Sequence, residues 1–242
     1  MVPTTRDRMS VLKILNRFRN SVSKRLNPQK TRYYGLNALD QKLEPYLDFN
    51  NGFFVELGAN DGVTQSNTYH FEKERGWRGV LIEPAPHNFL KCFSRRGSRS
   101  KVFCNACVEF GFPDRLIEMV YANLMSVSVG QDLDLADRNE HLRNAQLHMK
   151  ETEVSFSFGA VARPLNEILI EAQAPDRINL LSLDVEGAEL NVLKGVDHDR
   201  FRFDFMLIEC RNLDRLQGFL GTVDYKLETA LTEHDYLFRN NR

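Results

Sequence analysis

The sequence predicts an α/β fold: an open, mostly parallel sheet with helices on both faces. Three observations lead there. Short apolar runs bounded by turn residues alternate with segments of helical period from residue 35 onward. The runs are near-continuously apolar, as strands buried on both faces must be. Five of them end in an acid or an amide at their carboxyl end, the edge where such sheets bind ligands.

The elements justify themselves in order. Residues 35–47 read as a helix with Leu36, Leu39, Leu43 and Leu47 on one face, and Asn50-Asn51-Gly52 as a turn. Phe53–Leu57 is a first strand ending in Gly58. Ser66 is a candidate cap for a helix from about Asn67 to Arg75, stopped by Gly76. Val80–Glu83 is a second strand ended by Pro84, and 86–95 a helix. Lys101–Val108 reads as one third strand. Residues 109–163 break the rhythm, with hairpin-like segments at 115–121 and 153–162 around a charged helical middle at 132–150; this reads as an insertion without a core of its own. Pro164 opens a helix running to about Gln173, at the first position where proline is tolerated. Ile178–Asp184 is a fourth strand, Gly187–Leu193 a helix with Gly195 as its cap, and Phe203–Glu209 a fifth strand. A helix at 213–220 and a hairpin of Tyr225–Leu231 with Tyr236–Arg239 complete residues 35–242.

At 242 residues, 42% hydrophobic and 27% charged, the chain can bury a sizeable core without staples. No apolar run approaches the ~18–20 residues that span a bilayer. The cysteines, Cys92, Cys104, Cys107 and Cys210, are too few for a disulfide scaffold, so a reducing, cytoplasmic compartment is expected. Charge is uneven. Residues 1–32 hold nine basic side chains against Asp7, a net of +8, which leaves −9 on the remainder of a chain whose total is −1. Val11, Leu12, Ile14, Leu15, Phe18, Val22 and Leu26 recur there near helical spacing. The 1–34 segment thus reads as a basic amphipathic helix, with three readings open: a peripheral contact of residues 1–32 with an anionic membrane, a helix packed on the domain, or an organelle transit peptide. The basic residues are not interleaved with aromatics and the body is acidic, which argues against a nucleic-acid partner.

The strand ends carry the chemistry. They present Glu56-Leu57-Gly58-Ala59-Asn60-Asp61-Gly62, Glu83-Pro84, Asn105-Ala106, Asp184-Val185-Glu186-Gly187 and Glu209. Clustered acids repel one another, so they point to a cationic or polyhydroxyl ligand or a metal. Gly58 and Gly62 permit a tight loop, but Asn60 stands where the dinucleotide fingerprint needs glycine, and no Lys-Ser/Thr follows for a phosphate loop. Glu83 is placed to bind ribose hydroxyls. Ribose, positive charge and no phosphate together describe S-adenosylmethionine.

The runs Phe54–Gly62, Ser66-Asn67-Thr68, Glu72-Lys73, Gly76–Gly79 and Ile82-Glu83-Pro84 resemble the FkbM family of S-adenosylmethionine-dependent methyltransferases. So do Arg163-Pro164-Leu165-Asn166, Leu181–Glu189 and Leu193-Lys194-Gly195. The resemblance covers residue 50 to the C-terminus. It implies the class I methyltransferase (Rossmann-like) fold, a seven-stranded sheet whose last strand is antiparallel. It also implies O-methylation of sugars, glycans or natural-product hydroxyls. The expected donor contacts are Glu56, Gly58, Asn60, Asp61, Gly62, Asn67, Glu83, Pro84 and Asn105.

A hydroxyl is a poor nucleophile, so a base or a metal should help it. Asp184 is the first choice for base, with Glu186 serving the same pocket; Asp184 and Glu209 are candidate ligands of a divalent cation. Glu189 reads as a helix N-terminal acid. His70 reads as structural, as does His87; Ser126 is a candidate wall from the insertion, and Trp77 a packing residue. Cys104 and Cys107, three apart on one strand, face opposite sides and do not pair. Two function classes stay open: an O-methyltransferase, and a non-catalytic donor-binding module in a membrane-associated biosynthetic complex. The intact acids favour the first.

Overall fold

The computed structural model describes residues 32–122, 126–129 and 154–242. The basic segment up to residue 31 and the charged middle of the insertion lie outside the described residues. Residues 34–242 form one compact unit.

Seven strands make the main sheet: β1 (Phe53–Leu57), β2 (Arg78–Ile82), β3 (Lys101–Phe103), β8 (Arg177–Leu183), β9 (Arg202–Glu209), β10 (Tyr225–Ala230) and β11 (Asp235–Asn240). Their order is β10-β11-β9-β8-β1-β2-β3. The pairs β1–β2, β1–β8, β2–β3 and β8–β9 are parallel, while β11 runs antiparallel to both β9 and β10. Strand order reverses at β1–β8, which opens a crevice at their carboxyl ends. This is the class I methyltransferase topology, with its antiparallel last strand.

Alternation along the strands divides the core in two. Val55, Leu57, Val80, Ile82, Leu181 and Leu183 face one apolar cluster, against α4 (Leu165–Glu171), α5 (Glu189–Lys194) and α6 (Leu213–Thr222). Phe54, Leu81, Leu180 and Leu207 face the other, against α1 (Leu39–Leu43), α2 (Tyr69–Arg75) and α3 (Pro86–Arg96). Trp77 is a packing residue there, its indole N–H donating to Phe49 O at 2.9 Å.

Four expectations are corrected. The first helix is short, because Asn37 and Ala38 adopt left-handed backbone (φ 52° and 57°) and break it; Leu39, Leu43 and Leu47 stay buried while Leu36 is exposed. The third run splits at Cys104-Asn105 into β3 and β4 (Ala106–Val108), which belong to different sheets. The insertion does carry a small core. Its β5 (Leu116–Tyr121), β6 (Val127–Ser128) and β7 (Phe156–Pro164) join β4 in a second sheet, ordered β4-β7-β5-β6, where Ile117, Met119 and Ala160 pack on Ala106 and Val108. Pro164 ends β7 and precedes α4 with extended backbone (φ −57°, ψ 139°) instead of opening the helix. Among the described residues no helix is long and apolar enough to cross a membrane.

Candidate functional site

A cavity of about 670 Å³ lies over the carboxyl ends of β1, β2, β8 and β9. Its walls include Gly58, Asn60, Glu83, Pro84, Asn105, Asp184, Glu186 and Glu209 of the expected residues. It is closed from the insertion side by Met119, Ser126 and Ser128.

The loop after β1 is built by backbone geometry. Gly58 has φ +75°, and a β-carbon there would lie 2.0 Å from the carbonyl oxygen of Asp184. The close neighbour that demands glycine is therefore the adjacent strand end. Gly62 (φ +81°) packs on α3 in the same way, 2.9 Å from Cys92 Sγ to a notional β-carbon. Asn60 (φ 45°) turns the chain so that its N–H donates to Glu83 Oε2 at 2.8 Å. The N–H of Ala85 donates to Glu83 Oε1 at 2.9 Å. Burial still outweighs these donors and pushes the Glu83 carboxyl up to about 7. Asn105 is tied through its amide to Val161 O at 3.2 Å.

Glu56, Asp61, Gly62 and Asn67 do not line this cavity. The Glu56 carboxylate turns into the core beneath the loop. It accepts from Ser66 Oγ, the N–H of Asn67 and Thr68 Oγ1, and pairs with the fully buried Arg96 at 3.2 Å. Arg96 also donates to Gly62 O at 3.1 Å and to Glu72 at 3.2 Å. Glu56 thus shapes the loop through groups the protein itself supplies. Asp61 caps the next turn, accepting from the N–H groups of Val63 and Thr64. Those donors and Arg95 outweigh its partial burial and hold the carboxyl down at about 2. The N-cap of α2 is Thr68, two residues beyond the expected Ser66, whose Oγ accepts from the N–H groups of Thr68 and Tyr69 at 3.3 and 3.1 Å. Asn67 donates to Ser182 Oγ at 3.1 Å.

The opposite wall has the other character. Asp184 faces the open cavity yet lies deep in the molecule. That depth, then the charges of Glu209 and Glu186, hold its carboxyl well above the usual range, and a hydrogen bond with Glu209 adds to the rise. Burial and Glu209 push Glu186 up to about 8, against the pull of Arg211, whose guanidinium stands 3.6 Å away. Glu186 also has left-handed backbone (φ 54°), an uncommon conformation that aims the loop and hints at function. Glu189 is a structural acid. It accepts from the N–H groups of Val185 and Gly187, each at 3.1 Å, and burial pushes it up to about 7.

Among the described residues no group of three or more His, Cys, Asp or Glu side chains is arranged to hold a metal ion. Asp184 and Glu209 stand side by side in the cavity wall, the pair expected to hold a divalent cation, and no step is routed through one. His70 sits buried against Glu44 (3.1 Å), and His87 packs edge-on to Tyr121. None of the four cysteines is in a disulfide; Cys104 lies in the turn between β3 and β4 and Cys107 on β4.

The sequence reading missed Met119, Ser128, Gln65 and Arg211 as walls. Only Arg211 left a signal, a cation two residues past a strand-end acid. The others arrive through strand pairing in the insertion and through a left-handed turn at Gln65 (φ 60°).

Topology and site define a class I methyltransferase domain. Residues 56–238 match the family model described as "Methyltransferase FkbM domain", and the chain belongs to that family. It is 26% identical over 168 residues to "Methyltransferase 1" of Beauveria bassiana (strain ARSEF 2860), covering 65% of this chain and 62% of that protein. The match thus spans less than two thirds of the relative's length. Among solved structures, a methyltransferase from Pyrococcus furiosus aligns at TM-score 0.43 and 11% identity, over 96% of this chain and all of that one. A precorrin-6y C5,15-methyltransferase from Geobacter metallireducens GS-15 aligns at TM-score 0.42 and 13% identity, over 88% and 90%.

Proposed function

We propose that the protein is an S-adenosylmethionine-dependent O-methyltransferase acting on a hydroxyl of a sugar, glycan or natural product. The observation that carries this reading is the division of acids around one cavity. Glu83 is held rigidly by backbone donors on one side, and Asp184, Glu186 and Glu209 stand together on the other, where burial and mutual repulsion raise Asp184 and Glu186.

S-adenosylmethionine, when bound, supplies a methyl already activated on a positively charged sulfur. Glu83 has one backbone donor on each oxygen, which leaves lone pairs for a pair of ribose hydroxyls. The acids on the opposite wall favour a positive charge in the cavity, and such a charge lowers their affinity for protons. Asp184 then takes the proton of the acceptor hydroxyl, with Glu209 beside it in the same wall. A raised pKa suits a base that works near neutrality. The cavity's walls fix the approach of the reacting atoms.

The test is methyl transfer from S-adenosylmethionine to a panel of glycans, sugars and polyols, read as a single methyl gain by mass spectrometry. Transfer to a hydroxyl supports the reading. Donor binding without transfer to any hydroxyl in the panel, or transfer to nitrogen or carbon, overturns it.

A further inference from the structure

A second, smaller chamber of about 260 Å³ adjoins the main cavity. Four residues wall both spaces: Leu36, Gln65, Asp184 and Glu209. Asp184 and Glu209 therefore stand between the two, with one face toward each. The small chamber's outer wall is the turn between β10 and β11, residues 232–235, and its floor includes Asn37 and Asn67. We propose that this chamber is the acceptor subsite, and that it takes one uncharged, polyhydroxylated ring of sugar size. The proposal rests on the methyltransferase reading and adds to it the place and the class of the acceptor.

Three features argue for it. The first is position. A base must reach the acceptor's hydroxyl while that hydroxyl faces the donor, so a wall common to both spaces is where it belongs. The second is chemistry. Among the described residues the wall offers the carboxylates of Asp184, Glu209, Glu233 and Asp235, amides from Asn37, Gln65 and Asn67, the His234 imidazole at its rim, and neither Arg nor Lys. Hydroxyl donors suit such a wall, whereas a phosphate or uronate meets only repulsion. Asn67 adds an unmet acceptor: its side-chain oxygen is buried without a partner, while its amide donates to Ser182. The third is construction. Asn37 and Gln65 hold left-handed backbone (φ 52° and 60°). The outer turn is locked by Thr232 bonding Asp235, and Lys42 donates to Leu231 O at 2.8 Å. The wall is thus preformed. His234 and Glu233 are exposed at its rim, where the rest of a glycan can leave the chamber.

The experiment uses the full chain saturated with S-adenosylhomocysteine, after calorimetry has established that this product binds. The probes are neutral methyl glycosides of hexoses, pentoses and deoxyhexoses, with the matching uronates and sugar 6-phosphates. Dissociation constants come from NMR titration. Neutral glycosides should bind and the charged forms should not. His234→Trp at the exposed rim should raise the neutral glycoside's Kd by about tenfold or more, with S-adenosylhomocysteine affinity within about twofold of the parent. Glu233→Lys, also exposed, should admit the 6-phosphates. An unchanged glycoside Kd in His234→Trp overturns the location. Tighter binding of a charged form by the parent chain overturns the class, as does no binding of any neutral glycoside. Failure of S-adenosylhomocysteine to bind at the outset sinks the underlying methyltransferase reading instead.

Discussion

Two groups of acids meet this sheet, one beneath the loop after β1 and one after β8 and β9, and they are handled in opposite ways. Glu56 and Glu72 share the guanidinium of Arg96, which is fully buried and bonds both carboxylates together with Gly62 O, Ser66 and Thr68. Asp184, Glu186 and Glu209 crowd one another, with Arg211 3.6 Å from Glu186. The first group has spent its charge inside the protein and holds the loop in shape. The second lines the cavity and faces what enters it. The lesson is that an acid at a strand end becomes a site acid when the fold turns it to the cavity and not to a buried cation.

The sharpest way to break this contrast is to neutralise the second group. Asp184→Asn should lower single-turnover methyl transfer by ~10²–10⁴, the range of general-base effects. Donor affinity by calorimetry should stay within about twofold. Full activity in that variant removes Asp184 as the base.

The mirror experiment removes the cation from the first group. Arg96→Met leaves two buried carboxylates facing each other and should cost about 3–5 kcal/mol in urea denaturation. Adding Glu56→Gln and Glu72→Gln should recover part of that loss. A loss below about 1 kcal/mol would mean that the buried network is not what holds the loop.

Glu83 tests the boundary between the groups, since its partners are backbone donors. Glu83→Ala should weaken both S-adenosylmethionine and S-adenosylhomocysteine by about 1.5–3 kcal/mol, the worth of charge-assisted bonds. Unchanged affinities by calorimetry would exclude Glu83 from donor binding.

The acids that burial raises also set a pH dependence. Glu83 and Glu189 are raised to about 7 and Glu186 to about 8. A carboxyl raised in the folded state holds a proton that the unfolded chain has released, so its contribution is full below about pH 4.5 and is lost as pH rises through about 7–8. The ligand-free protein should therefore melt at a lower temperature at about pH 9 than at about pH 5.5, and Asp184→Asn should flatten the difference. A melting temperature that rises over that window contradicts the assignment.

The smallest effect belongs to Asp61, whose carboxyl is held down at about 2 by Thr64, Val63 and Arg95. Its side chain is 17% exposed against 6% for Glu56 and its partner Arg95 is 45% exposed, so Asp61→Asn should cost about 1 kcal/mol or less in the same denaturation assay. A loss matching that of Arg96→Met would place Asp61 in the buried network.

Much of this was legible in the residues because it is local. Apolar runs ended by Gly58, Pro84 and Gly187 mark strands and the turns after them, since backbone preference acts over a few residues. The strand-end motifs at Glu56–Gly62 and Asp184–Glu189 located the cavity's two sides for the same reason, and the family model covers both. Pairing across the sheet was not legible. That Arg96 neutralises Glu56, 40 residues away, depends on how α3 packs under the loop. That Asp184 and Glu209 share a wall depends on the parallel register of β8 and β9, which sets Leu183 beside Ile208. The split of β3 from β4, the walls from Met119 and Ser128, and the chamber behind the 232–235 turn likewise exist only once distant strands pair. Sequence by itself determined which residues carry charge and which turns present them, because those are properties of short segments. Tertiary structure decided which charges are neutralised, because electrostatic compensation in a low-dielectric core depends on distances of a few ångströms between residues far apart in the chain.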